Sequence, residues 1–435
     1  MNTNTLALLG GTPLLDSPYP LFNAIGTEEK QAVMDVMDKR VISDFIGRAG
    51  SKFLGGEYVL MFERKMCEMF DVAHAVTFNS ATTALQAAVV ALGIGPGDEV
   101  ITTPYTMSAT ASAILLNNAI PVFADIEKDT YCLDPVSVEK NITERTKAII
   151  VVNIFGGAAR YDEILAIAKK HNLKVIEDNA QAIGGMYRGN HLGTIGDIGV
   201  FSFNVHKHLQ CGEGGVLVTN NDALAFRSQL VRNHGEVVVD DMYDVDGTYE
   251  PIVGSNYRLS ELHAAVAIEQ LKKMDRLNTE RIALADYLTK KLEECPWVQP
   301  PYVLPDTTHV YYVYPMQFQE ALIGISRETF AAAMKAEGFP LNQGYLKPLH
   351  LMPVYQKKQM FSHSQFPFVS SEYPTTVSYD RGICPVTETL FEKEFLFTTI
   401  CHSPRTTADI DLFVQAIKKI EDNKEILQTY EQQTA

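Results

Sequence analysis

The sequence predicts an α/β fold in which a large domain, with a mostly parallel sheet flanked by helices, precedes a smaller C-terminal α+β domain. Three observations predict it. Short apolar runs alternate with helical patterns from about residue 75 to 220, a long helical stretch follows Pro251, and beyond Cys295-Pro296 one strand and two helices are spread over a longer span. Strict β-α alternation is the pattern of parallel strands joined by crossover helices, which cover both faces of the sheet. A chain of 435 residues, 46% hydrophobic and 21% charged, buries a large core and has room for more than one domain. The boundary is placed at the long helix: residues 1–270, with an N-terminal arm, form the large domain and residues 271–435 the small one.

The first strand ends at Thr77-Phe78 and is followed by hydroxyl residues and a helix at Ala84 to Leu92. Strands are then expected at Val100-Ile101, Val122 to Ala124, Ile149 to Val152, Val175-Ile176, Val200-Phe201 and Val216 to Val218. Between them, Asp162 to His171 places Ile164, Leu165 and Ala168 on one helical face. Ser260 is a candidate cap for a helix whose Ala264, Ala265, Ile268 and Leu271 share a face, running on through charged sequence to Glu294. The smaller domain is expected to hold a strand at Val310 to Phe318, a helix at Ser326 to Glu337, a terminal helix at Asp409 to Asn423 and a polar tail from Gln428. The segment from Lys347 to Pro385, rich in aromatic residues, Pro and Ser, reads as an irregular excursion bordering a cleft.

A formal net charge of −16 opposes general attraction to nucleic acid or to an anionic membrane. No apolar stretch is long enough to span a bilayer, and the run Leu6 to Leu9 lacks the basic flank of a signal peptide, so a cytoplasmic location is expected. The six cysteines are scattered without a C-x-x-C pair, and no metal site is expected from them.

Three stretches carry chemistry. In Phe201 to Gly215, Lys207 lies between apolar sequence and the glycine turn Gly212-Glu213-Gly214-Gly215. Burial lowers an amine toward the range in which it is a nucleophile, as Schiff-base chemistry requires. A single such lysine is more often solvated than catalytic. In Val175 to Ala182 a strand delivers Asp178 at its C-terminal edge, where open α/β sheets bind ligands. A carboxylate there suits the pyridine nitrogen of pyridoxal phosphate, although a helix-capping Asp would look the same. In Thr77 to Leu85 a strand, the hydroxyls of Ser80, Thr82 and Thr83 and a helix start form a candidate phosphate cradle, and an ordinary Ser/Thr cap predicts the same letters.

Taken in this order, the cradle, the strand-end Asp and the Lys describe a fold-type-I pyridoxal-phosphate enzyme. The chain resembles the DegT/DnrJ/StrS family of sugar aminotransferases over about residues 8 to 420. The resemblance is carried by Gly10-Gly11-Thr12-Pro13, Gly95-Pro96-Gly97-Asp98-Glu99-Val100, Glu177-Asp178 with Gln181-Ala182, Phe201-Ser202-Phe203, Lys207 with its glycine turn, and Gly254-Ser255-Asn256-Tyr257-Arg258-Leu259-Ser260-Glu261. It implies that Lys207 forms the Schiff base, Asp178 pairs with the pyridine nitrogen and Gln181 lies near the phenolic oxygen. It further implies that Ser80, Ala81, Thr82 and Ser202 bind the phosphate, and that Asn256 reaches it from the neighbouring subunit of a homodimer with shared active sites. His350 matches a cleft histidine. Two positions depart from the family pattern: Met107 stands where an aromatic residue usually stacks on the cofactor, with Tyr105 as the alternative, and Ala81 stands where Gly is usual.

The activity implied is transfer of an amino group from L-glutamate or L-glutamine to a keto-sugar, nucleotide-linked or phosphorylated, or to a cyclitol ketone, with ping-pong kinetics. A sugar dehydrase of the same fold carries histidine in place of the lysine, with His206 and His208 adjacent here. A non-catalytic sensor on the same scaffold is the alternative from another class. The acceptor is expected to be read by the loops Arg40 to Gly56, Val237 to Pro251 and Gly344 to Phe368.

Overall fold

In the computed structural model, residues 5–434 other than 18, 21 and 244–251 are described, so most of the 237–251 loop lies outside the described residues. The strands are β1 (His74–Phe78), β2 (Glu99–Thr102), β3 (Ile120–Phe123), β4 (Thr146–Val152), β5 (Lys174–Asp178), β6 (Met186–Tyr187), β7 (Asn190–His191), β8 (Ile198–Ser202) and β9 (Gly215–Thr219). Seven of them form one sheet in the order β1-β9-β8-β5-β4-β2-β3. Its pairs are parallel except around β9, which runs antiparallel to both β1 and β8. The expected class is therefore observed, and the reversal at β9 leaves β1 parallel to β8.

Alternation along β4 shows why the sheet is two-sided. Ala148 and Ile150 face one core, with Val76, Val100, Ile176 and the alanine-rich helix Ala81–Ala91; Ile149 and Val151 face the other, with Ile101, Val175 and Ile164 of the helix Tyr161–Lys170. A period of two with both phases apolar is what a sheet covered by helices requires. The alanines let the helix backbone lie close to the strands.

The stretch expected as one helix from Ser260 to Glu294 is two, Glu261–Leu271 and Met274–Leu292. Ser260 caps the first by accepting a hydrogen bond from the His263 amide. No Gly or Pro marks the break; Lys273 makes it, turning its Nζ onto Ala24 O (2.9 Å) and Glu29. The second helix is shared between cores: Met274 and Leu277 pack with the large sheet's outer helices, and Leu284, Ala285, Leu288 and Leu292 pack with C-terminal elements.

Beyond it lie β10 (Val298–Gln299), β11 (Thr307–Thr308), β12 (Tyr314–Phe318), β13 (Asn342–Gln343) and β14 (Phe395–Thr398). β11 joins β6 and β7, and the others form an antiparallel sheet in the order β10-β12-β14-β13 against the helices Arg327–Ala336 and Thr407–Asp422. The strand expected from Val310 begins only at Tyr314, because the carbonyls of residues 310–312 are taken by side chains. The polar tail is also structured: residues Lys424–Thr434 are helical, with Leu427 buried and Glu431 accepting from Ser326 N and Oγ. Leu6 is buried among these C-terminal elements, and Glu337 accepts from the amides of Ala7 and Leu14. The excursion from 347 to 385 lies against the outer helix of the large sheet, with Leu349, Tyr355, Phe368 and Tyr379 around Phe123.

Candidate active site

Because β1, β8, β5, β4 and β2 all run the same way, their C-terminal ends open onto one edge, and a cleft of about 360 Å³ lies there. Each end delivers a named group. The end of β1 leads to Ser80, Ala81 and Thr82, β5 ends on Asp178 with Gln181 just beyond, and β8 ends on Ser202 ahead of Lys207. The turn after β2 brings Met107, and all of these residues line the cleft. This is where an open α/β sheet binds ligands.

The end of the cleft at the start of the helix Ala81–Ala91 is built by close approach. Ser80 caps the helix Ala81–Ala91 by accepting from Thr83 N at 3.2 Å, and Ala81 and Thr82, whose amides have no intrahelical partner at a helix start, line the cleft. Gly215 packs directly under this turn: a β-carbon there would sit 2.5 Å from the Ala81 nitrogen, so only glycine allows the contact. Asn79 N donates to Tyr257 O (2.8 Å) and Tyr257 OH to Gln86 Oε1 (2.9 Å), so the 254–261 motif braces the turn from outside. Asn256 itself is exposed, accepts from Arg258 Nε and does not line the cleft of its own chain.

Asp178 is buried, and burial pushes its carboxyl above the ordinary value, opposed by hydrogen bonds from Thr110 Oγ1 (2.7 Å) and Ala180 N (3.2 Å) and by the charge of Lys207. Lys207 is pulled the other way. Desolvation lowers its amine from 10.5 to about 8, with Asp178 countering, which leaves a usable fraction as free base near neutral pH. Its Nζ lies 4.5 Å from the centre of the Tyr312 ring. Gln181 is fixed at both ends, its Oε1 accepting from Phe155 N (2.8 Å) and its Nε2 donating to Tyr345 OH (3.0 Å). Phe155 has φ +58, a left-handed backbone that costs a non-glycine residue about 1 kcal/mol or more and here aims its amide at Gln181.

Two expected residues are elsewhere. Tyr105 is fully buried beneath the cleft, edge-on to Phe155, Tyr345 and Phe395, so it does not face the position of a cofactor ring; Met107, half exposed, does line the cleft. His350 is also fully buried, away from the cleft, with Nε2 on Glu388 Oε1 at 2.9 Å; it is a packing residue of the excursion. Of the neighbours of Lys207, His208 is turned into the core onto Val310 O, whereas His206 lines the cleft. Thr110, Tyr312 and Tyr345 were not singled out by sequence. Thr110 follows Met107 in the same run, but neither tyrosine has a distinguishing local pattern.

The residues fit pyridoxal phosphate: a Cβ-free seat under a helix start, a buried carboxylate lacking a full counter-charge, and an amine of lowered basicity across the cleft. Fold and site together define an enzyme of the pyridoxal-phosphate aminotransferase class. The comparisons narrow this. The sequence profile of the DegT/DnrJ/EryC1/StrS aminotransferase family matches residues 35–382, and the chain belongs to that family. It is 33% identical over 431 residues to the L-glutamine:scyllo-inosose aminotransferase of Streptomyces griseus, covering 97% of this chain and 98% of the relative. It is 36% identical over 329 residues to the GDP-perosamine synthase of Caulobacter vibrioides, covering 75% and 84%. Among solved structures, an aminotransferase from Psychrobacter cryohalolentis matches with a TM-score of 0.79 at 28% identity, over 94% of this chain and 100% of that one.

Proposed function

We propose that this chain is a pyridoxal-phosphate aminotransferase that aminates the ketone of an uncharged polyhydroxylated ring, a cyclitol ketone, with L-glutamine as donor. The observation that carries the acceptor class is the charge of the cleft. Among its described lining residues, Lys207 is the one Lys or Arg, and it is accompanied by Asp178, Glu213, Asn204, Gln181 and two tyrosines. Hydroxyl-rich neutral substrates suit such donors and acceptors, and the one anionic group this cleft is built for is the cofactor's phosphate, met by the amides at the start of the helix Ala81–Ala91. The near end-to-end match to the scyllo-inosose enzyme, excursion included, supports the same acceptor and the glutamine donor. A nucleotide-linked hexulose is the second reading, favoured by the similarity to the perosamine synthase.

Pyridoxal phosphate, when bound, supplies an electron-withdrawing ring that labilises the α-proton of an amino acid and carries its nitrogen to the acceptor. Asp178 holds the ring nitrogen protonated; Ser80, Ala81, Thr82 and Ser202 take the phosphate. Lys207 Nζ, its basicity lowered toward neutral by burial, takes a proton from the donor's α-carbon and returns one to the acceptor's carbon. Asn256 completes the phosphate site from a second copy, so the active unit is a homodimer.

The test is a visible spectrum of the purified chain with pyridoxal phosphate, before and after L-glutamine, beside Lys207→Ala, followed by acceptor trials. Bleaching in wild type alone, and recovery of the band with scyllo-inosose but not with a nucleotide-linked keto-hexose, is the expected result. Recovery with the nucleotide-linked sugar alone moves the second reading ahead; a spectrum indifferent to Lys207 ends the aminotransferase assignment.

A further inference from the structure

Lys207 does not sit in open space opposite Asp178. Its Nζ lies 4.5 Å from the centroid of the Tyr312 ring, and both side chains line the cleft. The backbone that carries Tyr312 is held with unusual completeness. His208, the residue after Lys207, has Nε2 2.9 Å from Val310 O; Arg281 Nη1 donates to Tyr311 O at 3.3 Å; and His402 Nε2 lies 2.9 Å from Tyr312 O. Three consecutive carbonyls are thus each met by a buried side-chain nitrogen from a different part of the chain: the lysine loop, the helix Met274–Leu292 and the turn after β14.

Both imidazoles are buried beside the Arg281 guanidinium and are held well below the ordinary histidine value, so they are neutral. A neutral imidazole has one N–H, and a carbonyl partner fixes it on Nε2. The tautomers are therefore set, and the lock does not loosen as pH falls through the usual histidine range. It also ties the lysine loop to the tyrosine, because His208 belongs to one and Val310 to the other. Such bonding explains why residues 310–312 leave the antiparallel sheet early: their carbonyls serve the site rather than a neighbouring strand.

We propose that Tyr312 is a positioning residue for Lys207, whose ring face receives the lysine ammonium whenever Nζ is not bonded to the cofactor. A cation over an aromatic face is favoured by the ring quadrupole, most strongly where water is excluded. In a reaction that needs the amine first as a base and then as an acid, the ring gives the protonated state a defined place beside the reacting carbon. The preference is for the charged form, and it opposes the desolvation that lowers this amine. The proposal adds to the aminotransferase reading by assigning a second group that governs Lys207. It rests on the lysine–ring geometry, and its test separates from that reading.

The groups facing Nζ are few. Asp178 favours the ammonium, His208 is neutral and turned onto Val310 O, His206 and Glu213 line the same cleft, and the tyrosine hydroxyls of Tyr312 and Tyr345 stay protonated because burial raises both. The measurement is competitive acetylation of Lys207 against pH, read by peptide mass on the full-length chain. It is made once with pyridoxamine phosphate bound, which leaves the amine unbonded, and once without cofactor, with exposed Lys174 as internal standard. Tyr312→Leu should lower the midpoint of Lys207 by about one pH unit and leave Lys174 alone, while Tyr312→Phe, which keeps the ring, should match wild type. An unchanged midpoint in Tyr312→Leu overturns the proposal, as does an equal fall in Tyr312→Phe, which would assign the effect to the hydroxyl. If the shift appears in the cofactor-free chain and pyridoxamine phosphate does not bind, the aminotransferase reading fails and the lysine–ring pairing stands.

Discussion

Thr110 Oγ1 donates a 2.7 Å hydrogen bond to Asp178 Oδ2, and Thr106 Oγ1 lies 3.1 Å behind it. Since the Thr110 proton is committed to the carboxylate, Thr106 must be the donor to Thr110, so a two-hydroxyl relay points at the buried acid. Both residues belong to the turn and helix that follow β2, the segment that also brings Met107 to the cleft. One local element therefore serves the acid and the cleft wall together.

Thr110→Val keeps the shape and removes the donor. Hydrogen bonds to a charged group favour ionisation, so Asp178, already raised by burial, rises further. The acid limb of the rate–pH profile is expected to move up by about one pH unit, with weaker cofactor binding at low pH. An acid limb that stays in place would show that the relay has no hold on this carboxylate.

The phosphate turn depends on a missing side chain. Gly215→Ala would force the Ser80–Ala81 peptide away from β9, tilting the helix start that offers its amides to the anion. Pyridoxal-phosphate affinity is expected to fall by about tenfold or more, which corresponds to about 1.4 kcal/mol. Far-ultraviolet dichroism should stay near wild type. Titration by absorbance or fluorescence measures the affinity, and an unaltered value would contradict the close-packed seat.

Arg232 is wholly buried, with Nη1 2.6 Å from Glu63 Oε1 and within 3.2 Å of Thr77 Oγ1, and the same Glu63 oxygen accepts from Thr77 N. This pair anchors β1 just before the phosphate turn. Arg232→Met strands a buried carboxylate and is expected to cost about 3 kcal/mol or more by denaturant unfolding. Glu63→Gln with Arg232→Met should recover part of that loss; a double variant less stable than the single one would refute the pairing argument.

The sheet was legible because both faces of its strands are apolar and its helices have clear periodicity, as in β4 and Tyr161–Lys170. The residues that meet in the cleft were legible too: Lys207, Asp178, Gln181 and the Ser80 turn come from runs whose order along the chain matches a strand-end site. Tyr312 and Tyr345 were hidden, since their role comes from a side-chain lock and a link to Gln181 that join segments 30 to 164 residues apart. The break at Lys272–Lys273 carried no Gly or Pro signal because tertiary bonds to Ala24 and Glu29 make it. Tyr105 and His350 were misplaced for a related reason: proximity in sequence to a cleft loop does not say which way a ring turns.

The last prediction concerns the cost of keeping Lys207 where it is. Its amine is lowered to about 8 in the folded chain from 10.5, so the native state prefers the neutral form while the unfolded state holds the proton more firmly. For a base depressed in this way, its share of stability is intact above about 10.5 and is lost as pH falls from there through about 8, so at pH 6 to 7 the residue opposes folding by roughly 3 to 4 kcal/mol. Lys207→Met removes the charge while keeping most of the length of the unbranched side chain. In the absence of cofactor, Lys207→Met is therefore expected to melt at a higher temperature than wild type at pH 6.5, with the gap closing toward pH 10. If the difference in melting temperature is flat with pH, or favours wild type at pH 6.5, the amine is not held at a depressed value and the free-base role assigned to it loses its physical basis.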